Sequence, residues 1–157
     1  MTNRPIALFV LCLLLLAAGT ALAQEAGQKA ILVTGASSGI GRNIAERLAS
    51  EGYFVYAGAR KDADLAELEA IENIRAVRLD VMVDEDIAAA VEMVEAGGLG
   101  LYGLVNNAGV AVMGPLIEIE EEDLDFQFGV NVYGPYRITK AFAPMIIESQ
   151  GRITTIG

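Results

Sequence analysis

Histidine and tryptophan are absent from the 157 residues, cysteine occurs once and proline only four times. Without histidine the commonest general base and the commonest zinc ligand are gone, and one cysteine supplies neither an intrachain bridge nor a cysteine-rich metal cluster. Positive charge is also scarce: eleven Lys and Arg stand against twenty-one Asp and Glu, a formal charge of −10. With no basic run there is no electrostatic footprint for phosphate backbones, so nucleic acid is not expected as a partner. What is present is 54% apolar residues, the composition of one compact domain rather than of a disordered chain, a collagen or a disulfide scaffold. Chemistry is left to Ser, Tyr, Lys, Asn or carboxylates working with a bound cofactor, and no metal site is expected.

Residues 1–23 carry Arg4, an apolar run from Ile6 to Ala18 and small residues ending Ala21-Leu22-Ala23. This is a signal-peptide pattern, and cleavage after Ala23 removes Cys12 with it. The stretch from Ile6 to Ala23 is also just long enough to cross a bilayer, so an uncleaved membrane anchor is the alternative. Either way the expected location is exported, periplasmic or membrane-anchored, with membrane contact through residues 6–23. A polar linker, Gln24–Gln28, then leads into the domain at residues 29–157.

From Lys29 onward, strand and helix patterns alternate. Expected strands are Lys29–Thr34, Tyr53–Ala59, Arg75–Leu79, Leu101–Val105 and Arg152–Ile156, each a short apolar or β-branched run. Between them, Ile40, Ile44 and Leu48 form one helical stripe, Leu65, Leu68 and Ile71 a second, and Ile87, Ala90, Val91 and Val94 a third that Asp84 caps. Glu121–Glu148 reads as a single helix despite Pro135 and Pro144. Strands alternating with helices imply a parallel, doubly wound α/β sheet with helices on both faces, Rossmann-like and truncated after the fifth strand. Ligands of such sheets bind beyond the carboxyl ends of the strands, where strand order reverses.

The first strand ends in Thr34-Gly35-Ala36-Ser37-Ser38-Gly39-Ile40-Gly41, three glycines between a strand and a helix. Glycines permit positive φ and close backbone approach, and the helix amides beyond them present partial positive charge to a pyrophosphate. A tight turn that binds nothing is the competing reading. After the second strand stands Arg60, with no acid at the strand end; a guanidinium there forks onto a 2′-phosphate, whereas Asp62 or Asp64 is the alternative acid for NAD ribose hydroxyls. A solvated surface charge is the plainer account of Arg60.

The octapeptide TGASSGIG resembles the glycine motif of the short-chain dehydrogenase/reductase family. Asn106-Asn107-Ala108-Gly109 after the fourth strand is similar to that family's NNAG element, Asp80-Val81 after the third to its adenine-contacting pair, and Asn131-Val132-Tyr133-Gly134 to its NVxG segment. The resemblance implies an NAD(P)-dependent oxidoreductase that moves hydride between a nicotinamide and a small-molecule alcohol or ketone. It places Gly35, Ser37, Ser38, Gly39, Ile40 and Gly41 at the pyrophosphate, Asp80 and Val81 at the adenine, and Asn107, Ala108 and Gly109 against the cofactor's inner face. Asn131 is implied in the proton relay, NADP is preferred over NAD through Arg60, and a homo-oligomer is implied for the complete enzyme.

The same resemblance requires a Ser and a YxxxK pair beyond the fifth strand. Residues 29–157 do not contain them in that place, so the chain as given is expected to be inactive and a copy of part of a longer enzyme. A noncatalytic dinucleotide-binding module is the alternative. Tyr136 and Lys140 do spell YxxxK, but they lie five and nine residues past Asn131 on the same helix, before the fifth strand, and read as an ordinary i, i+4 surface pair. The acidic run Glu118–Asp125 suits a helix N-terminus better than a metal, and Val110–Leu116 reads as a loop beside the substrate mouth.

Overall fold

The computed structural model describes residues 27–157; the expectations for a leader or anchor over 1–23, and for Cys12 within it, lie outside the described residues. Five strands form one sheet: β1 (Ala30–Val33), β2 (Phe54–Ala59), β3 (Ile74–Arg78), β4 (Gly103–Asn106) and β5 (Arg152–Thr155). Their order is β3-β2-β1-β4-β5, and every neighbouring pair is parallel. Strand order therefore reverses between β1 and β4, which pair through Ile31–Gly103, Leu32–Leu104 and Val33–Val105. This is the doubly wound sheet that the alternating pattern implies.

Among the described residues, five α-helices complete the fold: α1 (Gly39–Ser50), α2 (Asp62–Glu69), α3 (Asp84–Gly97), α4 (Glu121–Phe128) and α5 (Gly134–Glu148). Side chains alternate across each strand, so the sheet feeds two cores. Ala30 and Leu32 of β1, Tyr56 of β2 and Leu104 of β4 pack with Ile87, Ala90 and Val94 of α3 and with Ile138, Phe142 and Ile146 of α5. Ile31 and Val33, with Val55, Ala57 and Ala59, pack with Ala45 and Ala49 of α1 and Leu68 of α2 on the other face. Continuous burial along β1 is the reason its sequence shows no polar alternation.

Three local expectations change. The seam of α1 is Gly41, Ala45 and Ala49, not the stripe beginning at Ile40; small residues let the helix approach the sheet, Ile44 and Leu48 flank the seam, and Ile40 is 62% exposed. Asp84 does not cap α3. Val83 holds that position, and Asp84, Glu85 and Asp86 fill the first turn instead, where carboxylates meet the positive end of the helix.

The expected single helix from Glu121 to Glu148 is divided by a five-residue π-helical stretch, Gly129–Tyr133. The Gly134 N–H bonds back to the Gly129 carbonyl, and Pro135 at the start of α5 has no N–H to offer. A Cβ on Gly129 would stand 2.9 Å from Met82 Cε and one on Gly134 2.7 Å from Val81 Cγ2, so these glycines seat the junction on the segment after β3. Val110–Pro115 is a loop, Met113 on it is 90% exposed, and a single 3-10 turn follows at Leu116–Glu118. All four residues of β5 are exposed. Among the described residues no helix is long and apolar enough to cross a membrane.

Candidate functional site

The chain reversal after β1 is built by glycine. Gly35 (φ +65°) and Gly39 (φ +58°) both adopt left-handed backbone, which other residues reach only at a cost. A Cβ on Gly35 would come within 2.8 Å of Ala108 Cα, so the loop after β1 lies directly on the loop after β4. The two loops are then sewn together by polar groups. Asn107 Nδ2 donates to the Thr34 and Gly35 carbonyls at 3.0 and 3.1 Å, and the Asn107 and Ala108 N–H groups both donate to Thr34 Oγ1 at 3.0 Å. Thr34 is 1% exposed, and its hydroxyl proton is directed to the Val105 carbonyl at 3.4 Å. Across the other edge, the Ala36 N–H donates to the Gly58 carbonyl at 2.8 Å.

These contacts frame a cleft of about 400 Å³ beyond the carboxyl ends of β1, β2, β3 and β4. Of the residues expected to hold a cofactor, Gly35, Ser37, Ser38, Ile40, Gly41, Arg60, Asp80, Val81, Asn107, Ala108 and Gly109 all line it. Gly39 does not: its Cα faces open space, and its contribution is the turn. Asn131 stands outside the lining and meets it through Val110, receiving the Val110 N–H on Oδ1 at 2.9 Å and donating from Nδ2 to the Val110 carbonyl at 2.8 Å. Tyr136 and Lys140 lie away from the cleft on α5, beside Pro135 and Thr139.

Electrostatics distinguish the α1 end of the cleft. Ser38 precedes the helix without capping it by its side chain, and the first turn of α1 holds no acidic residue. In contrast, α2 and α3, which also follow strands, begin with Asp62 and Asp64 and with Asp84, Glu85 and Asp86. The start of α1 thus has neither a side-chain cap nor an acidic residue in its first turn, an arrangement that could receive an external anion. On the β2 side, the Arg60 guanidinium lies 3.5 Å from the Asp80 carboxylate. Asp80 is held in turn: its N–H donates to Asp86 Oδ2 at 2.9 Å, and its Oδ1 receives the Met82 N–H at 3.0 Å.

A dinucleotide fits this donor set. Gly41 leaves no room for a side chain between Asn107 and the Gly35 carbonyl, Gly39 leaves open space, and a guanidinium and a row of helix amides flank the same cleft. Ala59, Leu79, Val110 and Val130 also line the cleft and were not expected there from the sequence, where they look like any other apolar residue. Thr34 does not line it but ties its two loops together, and it carries a signal that was there to read, a hydroxyl at the last position before a glycine turn. Among the described residues no group of three or more His, Cys, Asp or Glu is placed to hold a metal.

Known proteins resemble this chain in sequence and fold. A family model described as short chain dehydrogenase matches residues 29–157. The mitochondrial D-beta-hydroxybutyrate dehydrogenase of Rattus norvegicus is 36% identical over 147 residues, 87% of this chain and 43% of the relative. The 3-amino-tetrahydro-pyrrolizinone reductase of Xenorhabdus hominickii is 39% identical over 131 residues, 82% of this chain and 45% of the relative. This chain thus spans less than half the length of these relatives. Among solved structures, a short-chain dehydrogenase from Streptomyces avermitilis superposes with a TM-score of 0.77 at 37% identity, over 83% of this chain and 49% of that one. An alcohol dehydrogenase from the archaeon Thermococcus sibiricus, complexed with 5-hydroxy-NADP, gives 0.73 at 30% identity, over 82% of this chain and 57% of that one. With sheet order, glycine loop and family model all in agreement, the chain belongs to the short-chain dehydrogenase/reductase family.

Proposed function

We propose that residues 29–157 are the cofactor-holding part of an NADP-dependent oxidoreductase that interconverts an alcohol and a ketone. The observation that carries the reading is the convergence on one cleft of uncapped, acid-free α1 amides and the Arg60 guanidinium, the two kinds of donor a phosphorylated dinucleotide needs. On this reading the α1 amides with Ser37 and Ser38 hold the pyrophosphate, and Arg60 holds the 2′-phosphate in exchange for its contact with Asp80. Asp80 and Val81 meet the adenine, while Asn107, Ala108 and Gly109 wall the inner face.

The nicotinamide supplies or accepts the hydride when bound. This chain's own residues position and shield it. Thr34 and Asn107 lock the two loops that form the wall, and Asn131 fixes Val110, where the loop toward the substrate side begins. Asn131 contributes to the proton relay from its place beside Val110. The 5-hydroxy-NADP in complex with the Thermococcus sibiricus alcohol dehydrogenase belongs to the NADP class, in agreement with this assignment.

The test is titration of the full-length protein with NADPH and NADH, with and without Arg60→Ala. NADPH is expected to bind more tightly, and R60A to weaken it about tenfold, the scale of one partly exposed charge-assisted contact, with NADH little changed. A preference for NADH, or binding of neither dinucleotide at millimolar concentration, overturns the reading.

A further inference from the structure

Arg78 ends β3, opposite Ala59 at the end of β2 in the parallel register. It does not line the cleft, yet its guanidinium grips the segment that carries Arg60. Nη1 donates to the Arg60 carbonyl at 2.6 Å, and Nη2 pairs with the Asp62 carboxylate. One planar group thus spans the bend between β2 and α2, holding the backbone of one residue and the charge of another two positions on.

The second contact bears on selectivity. Asp62 is the acid nearest in sequence to Arg60, and its side chain is 92% exposed. Left unpaired, a carboxylate there favours NAD in two ways: it accepts from ribose hydroxyls, and it repels a dianionic 2′-phosphate. Paired with Arg78, it is held toward β3, outside the lining of the cleft. The first contact fixes the backbone at Arg60, whose side chain lines the cleft.

We propose that Arg78 is a cofactor-selectivity residue acting at one remove: it suppresses Asp62 as a ribose acceptor and anchors the bend that presents Arg60. The proposal rests on the NADP reading of Arg60 and adds a second residue, on a different strand, to that choice. Because Arg78 reaches the cofactor only through other residues, it is a positioning residue. Its planar fork serves two partners together, which a lysine ammonium does less well.

The experiment measures dissociation constants of NADPH and NADH for full-length wild type, Arg78→Met, Asp62→Asn and the double variant, following reduced-nicotinamide fluorescence. R78M is expected to weaken NADPH about three- to fivefold while NADH moves by less than about twofold, the scale of an exposed charge brought within reach of a phosphate. Adding D62N to R78M should recover most of the NADPH loss, and Arg78→Lys should fall between wild type and R78M. Equal weakening of both dinucleotides, an unchanged preference, or no recovery in the double variant overturns the proposal. Should R78M fold poorly, the same comparison of R78K with R78K/D62N decides it. Failure of the underlying NADP reading shows elsewhere, as a wild-type preference for NADH or an R60A variant that keeps its NADPH affinity.

Discussion

Replacing Gly41 with alanine tests the construction of the cleft more directly than any change to a charged residue. A Cβ at this position collides with Asn107 Nδ2 and with the Gly35 carbonyl oxygen, and would lie 3.0 Å from the Gly35 carbonyl carbon. Neither neighbour is free to retreat. Asn107 Nδ2 is committed to two carbonyls at 3.0 and 3.1 Å, and Gly35, at φ +65°, already lies against Ala108. Overpacking of this kind costs about 1–3 kcal/mol, and the one or two hydrogen bonds displaced add about 1 kcal/mol each. A loss of about 2–5 kcal/mol is therefore expected. Gly39→Ala provides the contrast, because nothing lies within 4 Å of its Cβ and only the left-handed backbone, φ +58°, opposes the change; that costs about 1–2 kcal/mol. Urea unfolding of both variants in the full-length protein, with NADPH titration of the same samples, separates the two effects. G41A should lose roughly twice as much stability as G39A and more than about tenfold in dinucleotide affinity. Adding Asn107→Ala to G41A should restore little, because the Gly35 carbonyl still blocks the Cβ. A G41A variant within about 0.5 kcal/mol of wild type would refute the close-approach argument.

Two further perturbations address the frame around the cleft. Thr34→Val keeps the shape but strands the Asn107 and Ala108 N–H groups that now share Thr34 Oγ1, so a destabilisation of about 2–4 kcal/mol is expected; Thr34→Ser should regain most of it, and equal urea midpoints for T34V and wild type would contradict the assignment. Burial raises the Tyr56 phenol above its usual value near 10, with Arg75 pulling it back more weakly. The folded state therefore holds this proton longer than the unfolded state. The stability linked to it is complete below about pH 10 and is lost as pH climbs from there through the folded-state value. Tyr56→Phe should flatten that alkaline decline, and parallel declines in wild type and Y56F would dismiss it.

Periodicity exposed the sheet because β1 and β2 are buried along nearly their whole length and so appear as unbroken apolar runs. The cleft was legible for a related reason. Its loops are made of residue types with few uses, glycine at positive φ and asparagine bridging carbonyls, and those types stand at strand ends in the sequence. The errors came where side-chain size gave no warning. Ile40 looked like the start of a buried stripe, yet the buried seam of α1 is one residue later and consists of Gly41, Ala45 and Ala49, chosen for smallness rather than hydrophobicity. The π-helical stretch at Gly129–Tyr133 was hidden in the same way: its causes are a proline shortly after it and two glycines meeting Val81 and Met82, contacts more than forty residues distant along the chain.

A chain with a formal charge of −10 is an unexpected host for a dinucleotide that is itself anionic, and the arrangement of its cations accounts for the difference. Beyond about 8–10 Å the excess carboxylates are screened at physiological salt, so the decisive interactions are local. Most of the arginines near the sheet are already engaged: Arg42 with Glu46 and Glu67 at 2.6 and 3.1 Å, Arg47 with Glu51 at 2.6 Å, Arg75 with Glu69 at 3.2 Å, and Arg78 with Asp62. Arg60 has the longest ion pair among the described residues, 3.5 Å to Asp80, and its side chain is 60% exposed. On the proposed NADP reading, a phosphate at Arg60 would displace a weak contact instead of a tight one. At α1 it displaces no carboxylate, because the first turn has none, while α2, α3 and α4 fill their first turns with acids. Much of the negative charge of the described residues thus stands at helix ends and in tight pairs, with Asp80 inside the cleft the exception, and two places suited to an anion, the start of α1 and the weakly paired Arg60 guanidinium, border the same cleft of about 400 Å³.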